Sequence, residues 1–101
     1  MMFKTILLID DDPAIRDSLE LLLETAGYTV TTFCSGIQFL DSDFRSFHGC
    51  LLLDVRMPEK DGLTVLSEAL EINPNLYIVM MIKNWSNCIY LCREIIKRSE
   101  M

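Results

Sequence analysis

Basic side chains are scarce in this sequence. Its 101 residues include 9 Lys and Arg against 15 Asp and Glu, for a formal net charge of −6. Phosphate contacts require a basic face, so we do not expect this piece of chain to bind nucleic acid directly. A small acidic domain is better suited to binding cations or basic protein surfaces.

Long hydrophobic runs are also missing. Half of the residues are hydrophobic, but no apolar stretch approaches the roughly 20 residues that cross a bilayer. Acidic residues follow the short apolar run at 6–9 at once, which is unlike a targeting signal. We therefore expect no membrane contact, a cytoplasmic location, and one small domain over residues 1–101.

Histidine and cysteine offer little material for a metal site. His48 is the one histidine, and it lies far along the chain from the spaced pair Cys88 and Cys92. A zinc site needs a second close pair of such ligands, so zinc is disfavoured. We expect Cys34, Cys50 and the other thiols to be reduced and mostly buried.

Short apolar segments alternate with stretches of helical periodicity. The strand candidates are residues 4–9, 28–33, 50–53 and 76–82, and helical patterns begin near Pro13, Ser35, Asp61 and Ser86. Such alternation predicts an α/β fold with a parallel sheet and right-handed crossovers. Helical spacing further predicts that the second helix packs through Ile37, Leu40 and Phe44, and the third through Leu63, Leu66 and Leu70.

Two of the predicted strands end in carboxylates. Asp10 and Asp11 follow the first strand, and Asp54 follows the third. Acids are common where strands meet solvent, but neighbouring parallel strands would bring these three to one edge of the sheet. Crowded carboxylates repel one another, and a hard divalent cation relieves that repulsion. The pattern therefore predicts a Mg²⁺ site equipped for phosphoryl chemistry.

Three motifs resemble a known family. They are Ile-Leu-Leu-Ile-Asp-Asp-Asp-Pro at 6–13, Leu-Leu-Leu-Asp-Val-Arg-Met-Pro at 51–58, and Asp-Gly-Leu at 61–63. Together they resemble the receiver domains of bacterial two-component response regulators, above all receivers attached to DNA-binding output domains of the nitrogen-fixation regulator type. The resemblance covers about residues 4–81, and residues 82–101 form a divergent C-terminal segment.

The resemblance implies a flavodoxin-like, doubly wound sheet with strand order 2-1-3-4-5 when complete. Here it would be incomplete, with four strands and no fifth. Asp54 would accept a phosphoryl group from a sensor histidine kinase. Mg²⁺ would be held by Asp10, Asp11, Asp54 and the backbone carbonyl of Arg56. Met57, Pro58 and Gly62 would shape the adjoining loop.

The chain departs from the family near its C-terminal end. Receivers carry a Ser or Thr at the end of the fourth strand, where this sequence has Ile82, and Ser86 comes too late. The family's fifth-strand lysine is also not visible. Lys97 lies in a helical pattern, while Lys83 could reach the edge of the pocket. An altered or truncated C-terminus would explain the loss of pattern.

A missing fifth strand would leave the fourth at the edge of the sheet. Exposed apolar edges invite pairing, so we expect a homodimer or higher self-association through this strand or a swapped last helix. Apolar residues that could contribute to such a contact are Trp85, Ile89, Leu91 and Ile95.

Three functions compete at this stage. The first is a phosphoacceptor signalling domain, which at most catalyses its own phosphorylation and dephosphorylation. The second is a degenerate receiver that serves as a dimerisation or protein-interaction module. The third, a hydrolase with a phosphoaspartyl intermediate, needs a second acid two residues after the nucleophile, where this chain has Arg56.

Overall fold

The computed structural model describes residues 5–81, in which strands and helices alternate. The elements are β1 (Thr5–Ile9), α1 (Pro13–Thr25), β2 (Thr29–Phe33), α2 (Gly36–Leu40), β3 (Cys50–Asp54), α3 (Gly62–Ile72) and β4 (Tyr77–Met81). The predicted last helix, and the expectations for Ile82, Lys83, Ser86 and Lys97, fall outside the described residues.

The four strands form one parallel sheet in the order β2-β1-β3-β4. Strand β1 is central, pairing Ile6 with Val30 of β2 on one side and with Cys50 of β3 on the other. The chain therefore winds away from β1 in both directions, and the strand order reverses between β1 and β3. This is the predicted flavodoxin-like arrangement, and ligand sites of such sheets form at the carboxyl ends flanking that reversal.

Two apolar layers cover the two faces of the sheet. Alternate strand residues point to opposite faces, so the uninterrupted apolar runs of β1 and β3 feed both layers. The layer with α1 buries Ile6, Leu8, Leu19, Leu23, Cys50, Leu52 and Met81. The layer with α2 and α3 buries Leu7, Ile9, Phe39, Phe44, Leu51, Leu53, Met57, Val65, Ala69 and Leu76.

Local signals set the ends of α1 as predicted. The Asp12 carboxylate accepts hydrogen bonds from the amides of Ala14, at 3.0 Å, and Ile15, at 3.4 Å. Pro13 occupies the first turn, where its missing N–H costs nothing. Gly27 follows the helix with φ of 102°, a backbone conformation that favours glycine.

The predicted stripes of α2 and α3 were only partly right. Phe44 is buried, and Leu40 and Leu66 are partly buried against the core. Ile37, Leu63 and Leu70 are exposed by 40%, 63% and 38%, whereas Val65 and Phe39 are fully buried. A Cβ on residue 36 would collide with the Val65 side chain, so the two helices approach closely where one of them carries no side chain. Close packing of the α2–α3 contact, rather than the count of leucines, selects which face of each helix is buried.

The cysteines divide between the interior and the surface. Cys50 is buried in β3 as expected, but Cys34 is exposed, against the expectation of mostly buried thiols. Cys88 and Cys92 lie outside the described residues. None of the helices in residues 5–81 has the length and hydrophobicity needed to traverse a bilayer.

Candidate metal centre

Three carboxylates meet at the carboxyl ends of β1 and β3. Asp10, Asp11 and Asp54 each offer an oxygen atom, and these atoms lie within 4.8 Å of one another. Asp10 and Asp54 are each only 1% exposed, while Asp11 is half-buried. The carboxylates predicted to share a sheet edge therefore do lie together, because β1 and β3 are direct neighbours.

Backbone contacts hold Asp10 in place. Its amide donates to the Phe33 carbonyl of β2 at 3.2 Å, which continues the sheet pairing beyond Ile9. Its Oδ1 accepts from the Asp12 amide at 2.9 Å, and its carbonyl accepts from Arg16 Nη1 at 2.8 Å. The orientation of this carboxylate is therefore set by the β1–α1 turn.

Asp54 makes the same local hydrogen bond as Asp10. Its Oδ1 accepts a hydrogen bond from the amide of Arg56 at 3.1 Å, two residues along the chain. The amide of Val55, which follows Asp54 directly, donates to the Met81 carbonyl at the end of β4, at 2.9 Å. Main-chain groups of the following residues and of β4 thus hold the end of β3 at Asp54.

The loop between β3 and α3 closes directly behind Asp54. The Gly62 amide donates to the Val55 carbonyl at 2.9 Å. A Cβ on residue 62 would strike the Asp54 carbonyl and lie 2.8 Å from Val55 Cα, so only glycine fits there. Met57 is buried in the core, whereas Pro58 is exposed. Gly62 and Met57 therefore anchor the two halves of this loop.

The tip of the loop has an uncommon backbone. Glu59 has φ of 69°, the left-handed region that a non-glycine residue seldom occupies. The Lys60 amide donates back to the Pro58 carbonyl at 2.8 Å, and Lys60 Nζ pairs with Glu68 of α3 at 2.7 Å. These contacts tie the exposed tip to the helix that follows.

Asp61 caps α3 at the end of the loop. Its Oδ1 accepts from the Thr64 amide at 2.9 Å. That backbone hydrogen bond holds the pKa of the exposed Asp61 carboxyl below its ordinary value of 3.8. Asp61 therefore stabilises the start of α3 and is not part of the three-carboxylate cluster.

The donor set suits a hard divalent cation. Carboxylate oxygens are the preferred ligands of Mg²⁺, and one or two of them with solvent or phosphate oxygens complete its shell. Among residues 5–81, no other group of three His, Cys or acidic side chains comes as close together.

A cleft of about 450 Å³, lined by residues 40–45 and Ile72, lies towards the opposite ends of the strands and is separate from this cluster.

Comparison with known proteins decides the family. A family model described as the response regulator receiver domain matches residues 6–93. The chain belongs to this family. The resemblance seen in the three motifs is thereby confirmed, and the match continues past residue 81.

Two curated relatives are longer regulatory proteins that match this chain over part of their length. The chain is 41% identical over 73 residues to the transcriptional regulatory protein FixJ of Azorhizobium caulinodans, covering 72% of this chain and 35% of the relative. It is 40% identical over 76 residues to the response regulator protein TodT of Pseudomonas putida, covering 75% and 34%. The chain thus spans about a third of the length of these two relatives.

Two solved structures share the receiver fold. The response regulator protein TrrA of Thermotoga maritima, in complex with Mg²⁺-BeF, has a TM-score of 0.74 at 28% identity, covering 92% of this chain and 81% of that one. A CheY-like receiver from Methanospirillum hungatei has a TM-score of 0.76 at 21% identity, covering 95% and 96%, and shows the fold alone. The receiver is thus a domain of two-component signal transduction rather than a conventional enzyme.

Arg16 is the site residue that sequence reasoning missed. It lies in α1 and touches the main chain of Asp10 rather than a carboxylate of the cluster. A signal was nevertheless present. The start of a helix favours acidic side chains, so a basic residue one turn into α1 suggests a specific partner nearby.

Proposed function

We propose that this receiver accepts a phosphoryl group on Asp54 from the phosphohistidine of a sensor histidine kinase, in a Mg²⁺-dependent reaction. The observation that carries the proposal is the meeting of Asp10, Asp11 and Asp54 within 4.8 Å at the point where the strand order reverses. Mg²⁺ would be held by these carboxylates and by the backbone carbonyl of Arg56. The complex of TrrA with Mg²⁺-BeF supports this choice of metal.

Asp54 would act as the nucleophile. One of its carboxylate oxygens forms a bond to phosphorus while the phosphorus–nitrogen bond of phosphohistidine breaks, and the released imidazole nitrogen keeps the electron pair and takes up a proton from solvent. When bound, Mg²⁺ offsets the negative charge of the cluster and of the transferring oxygens.

The surrounding residues would keep the nucleophile in position. The Arg56 amide orients the Asp54 carboxylate through Oδ1. Gly62 packs against the Asp54 carbonyl, and the buried Met57 holds the loop against the core. Pro58 would limit the backbone freedom of the same loop.

A second candidate is a degenerate receiver that acts as a dimerisation or protein-interaction module. The observation that favours it lies at the end of β4, where the Met81 carbonyl accepts from the Val55 amide beside the cluster. The sequence then continues Ile82-Lys83-Asn84, with no hydroxyl-bearing side chain before Ser86. A receiver without that hydroxyl would keep the metal-binding carboxylates but lack a side chain that the family turns toward the phosphoryl group.

Phosphorylation by a small phosphodonor separates the two candidates. The protein is incubated with acetyl phosphate and Mg²⁺, and intact mass is measured. The first proposal expects a gain of one phosphoryl group that disappears with EDTA and in Asp54→Asn, but persists in the control Asp61→Asn. The second expects no mass gain, together with concentration-dependent self-association in sedimentation velocity.

A further inference from the structure

We infer that Arg16 is a positioning residue for the metal centre, holding the main chain of Asp10 so that its carboxylate is presented to the cation. This inference rests on the proposed Mg²⁺ site. It assigns a role to a side chain that lies outside the three-carboxylate cluster.

Arg16 bridges both ends of the β1–α1 turn. Its backbone amide donates to the Asp12 carbonyl at 2.9 Å, the first hydrogen bond within α1. Its guanidinium reaches back and donates to the Asp10 carbonyl at 2.8 Å. A single residue of the helix thereby ties the start of α1 to the residue that follows β1.

The contact adds to the other hydrogen bonds that hold Asp10. The Phe33 carbonyl holds its amide, Arg16 holds its carbonyl, and the Asp12 amide holds Oδ1. If the guanidinium bond is lost, the peptide between Asp10 and Asp11 can rotate, and both carboxylates move with it. Partners of metal ligands commonly influence affinity in this way, by about 10–100-fold.

Electrostatics predicts the opposite effect, which makes the inference testable. A guanidinium carries a permanent positive charge and repels a cation bound nearby. If Arg16 acted only as a charge, its removal would strengthen Mg²⁺ binding. If it positions Asp10, its removal weakens binding despite the more negative pocket.

The experiment compares Arg16→Met with Arg45→Met. Both variants change the net charge equally, but Arg45 lies in the α2–β3 connection, which enters β3 at the end away from the cluster. Mg²⁺ affinity is measured by isothermal titration calorimetry in about 0.1 M salt, and the amide of Asp12 is followed by NMR without metal. We expect Arg16→Met to weaken binding about tenfold and to shift the Asp12 amide, with neither effect in Arg45→Met.

Arg16→Lys keeps the positive charge and an N–H donor group on a shorter side chain, so it should recover part of the affinity. It also keeps the test decisive if Arg16→Met fails to fold, because the protein with lysine at this position should still bind Mg²⁺ less tightly than the wild type. Unchanged or tighter binding in the folded Arg16 variants would overturn the positioning role. If the wild-type protein itself binds no Mg²⁺, the proposed function fails instead, and an unshifted Asp12 amide in Arg16→Met would then overturn the role of Arg16 separately.

Discussion

The β1–α1 and β3–α3 connections each position an aspartate of the carboxylate cluster, but different contacts stabilise them. Each begins with an aspartate whose Oδ1 accepts the amide two residues on, at 2.9 Å for Asp10 and 3.1 Å for Asp54. Each ends with an aspartate that caps the next helix, Asp12 or Asp61. The first connection is three residues long and includes Asp10, whereas Asp54 is the last residue of β3 and the second connection follows it from residue 55 to residue 61.

The difference lies in what stabilises each connection. The short one is held by hydrogen bonds among close neighbours and by Arg16 one turn into the helix. The long one depends on the approach of Gly62 to Asp54, on burial of Met57, and on an ion pair from Lys60. A local turn tolerates conservative changes that keep its acceptors, while a long loop is sensitive to any added volume where it packs.

The largest effect is expected from Gly62→Ala. The added methyl group meets main-chain atoms of Asp54 and Val55, which cannot move aside, so we expect a loss of about 3 kcal/mol in the free energy of unfolding. Urea unfolding measures this, and transfer from a phosphodonor should fall with it.

Gly27→Ala provides the matched control. Nothing lies within 4 Å of a Cβ at that position, so its cost comes from φ of 102° alone and should be about 1 kcal/mol. If Gly62→Ala and Gly27→Ala lower the free energy of unfolding equally, the β3–α3 loop can shift to accommodate the added methyl group, contrary to this prediction.

The next effect concerns the metal. Asp10→Asn keeps an acceptor for the Asp12 amide but removes a charged ligand, so Mg²⁺ affinity should fall on the order of tenfold, or about 1.4 kcal/mol. In thermal unfolding, a Mg²⁺ concentration of 100 times the wild-type Kd stabilises the wild type by about 2.7 kcal/mol, and should stabilise the variant by about half as much.

Asp12→Asn serves as the control for that measurement. It removes an equal charge from the same acidic run while keeping a good N-cap for α1. Its Mg²⁺ affinity should stay close to that of the wild type. If both variants lose affinity equally, general charge rather than the cluster of Asp10, Asp11 and Asp54 governs binding.

A smaller effect is expected at the first helix cap. Asp12→Ala removes the acceptor for the amides of Ala14 and Ile15 and should cost about 1 kcal/mol of folding free energy. The corresponding change Ser35→Ala at the N-cap of α2 removes the acceptor for one amide, that of Gln38, and should cost less. Urea unfolding of both variants tests this order, and a larger loss at Ser35 would contradict it.

The smallest effect is a pH dependence at the cap of the longer connection. The folded-state pKa of Asp61 lies below the ordinary value of 3.8, so its charge stabilises the folded state above that value. The contribution is lost as pH falls through the lowered pKa. Because the carboxyl is fully exposed, solvent screens the interaction and keeps it small.

Asp61→Asn isolates this dependence, since it keeps a capping oxygen without the charge. The difference in urea midpoint between wild type and variant should be fully present above pH 3.8 and should shrink as the pH falls below that value through the lowered pKa. A difference that grows on acidification would reverse the expected sign.

Much of the fold followed from patterns of neighbouring residues. The apolar runs of β1 and β3 had to be buried on both faces, Asp12 and Pro13 started α1, and Gly27 ended it. These features depend on backbone hydrogen bonding and burial within a few residues. The motifs that carried the family resemblance lie in the same segments, which is why the family could be recognised before the structure.

Other features depended on contacts between distant segments. The buried residues of α3 were predicted only in part. Leu66 packs against the core, but Leu63 and Leu70 are exposed although they are as apolar as the buried Val65. The close approach of Gly36 to Val65 selects the buried face. Residues 82–101 lie outside the described structure, so the expectations of self-association and of a missing fifth strand stay predictions.

The carboxylate cluster combines both kinds of information. Sequence alone determined that Asp10, Asp11 and Asp54 stand at strand ends, because charged groups are excluded from the buried strands before them. The family resemblance implied that β1 and β3 are neighbours, and the sheet confirms it. Only the tertiary structure decided that the three oxygens lie within 4.8 Å and that Arg16 holds the Asp10 main chain. Strand order and side-chain reach are set by packing across the whole sheet, which no local pattern encodes.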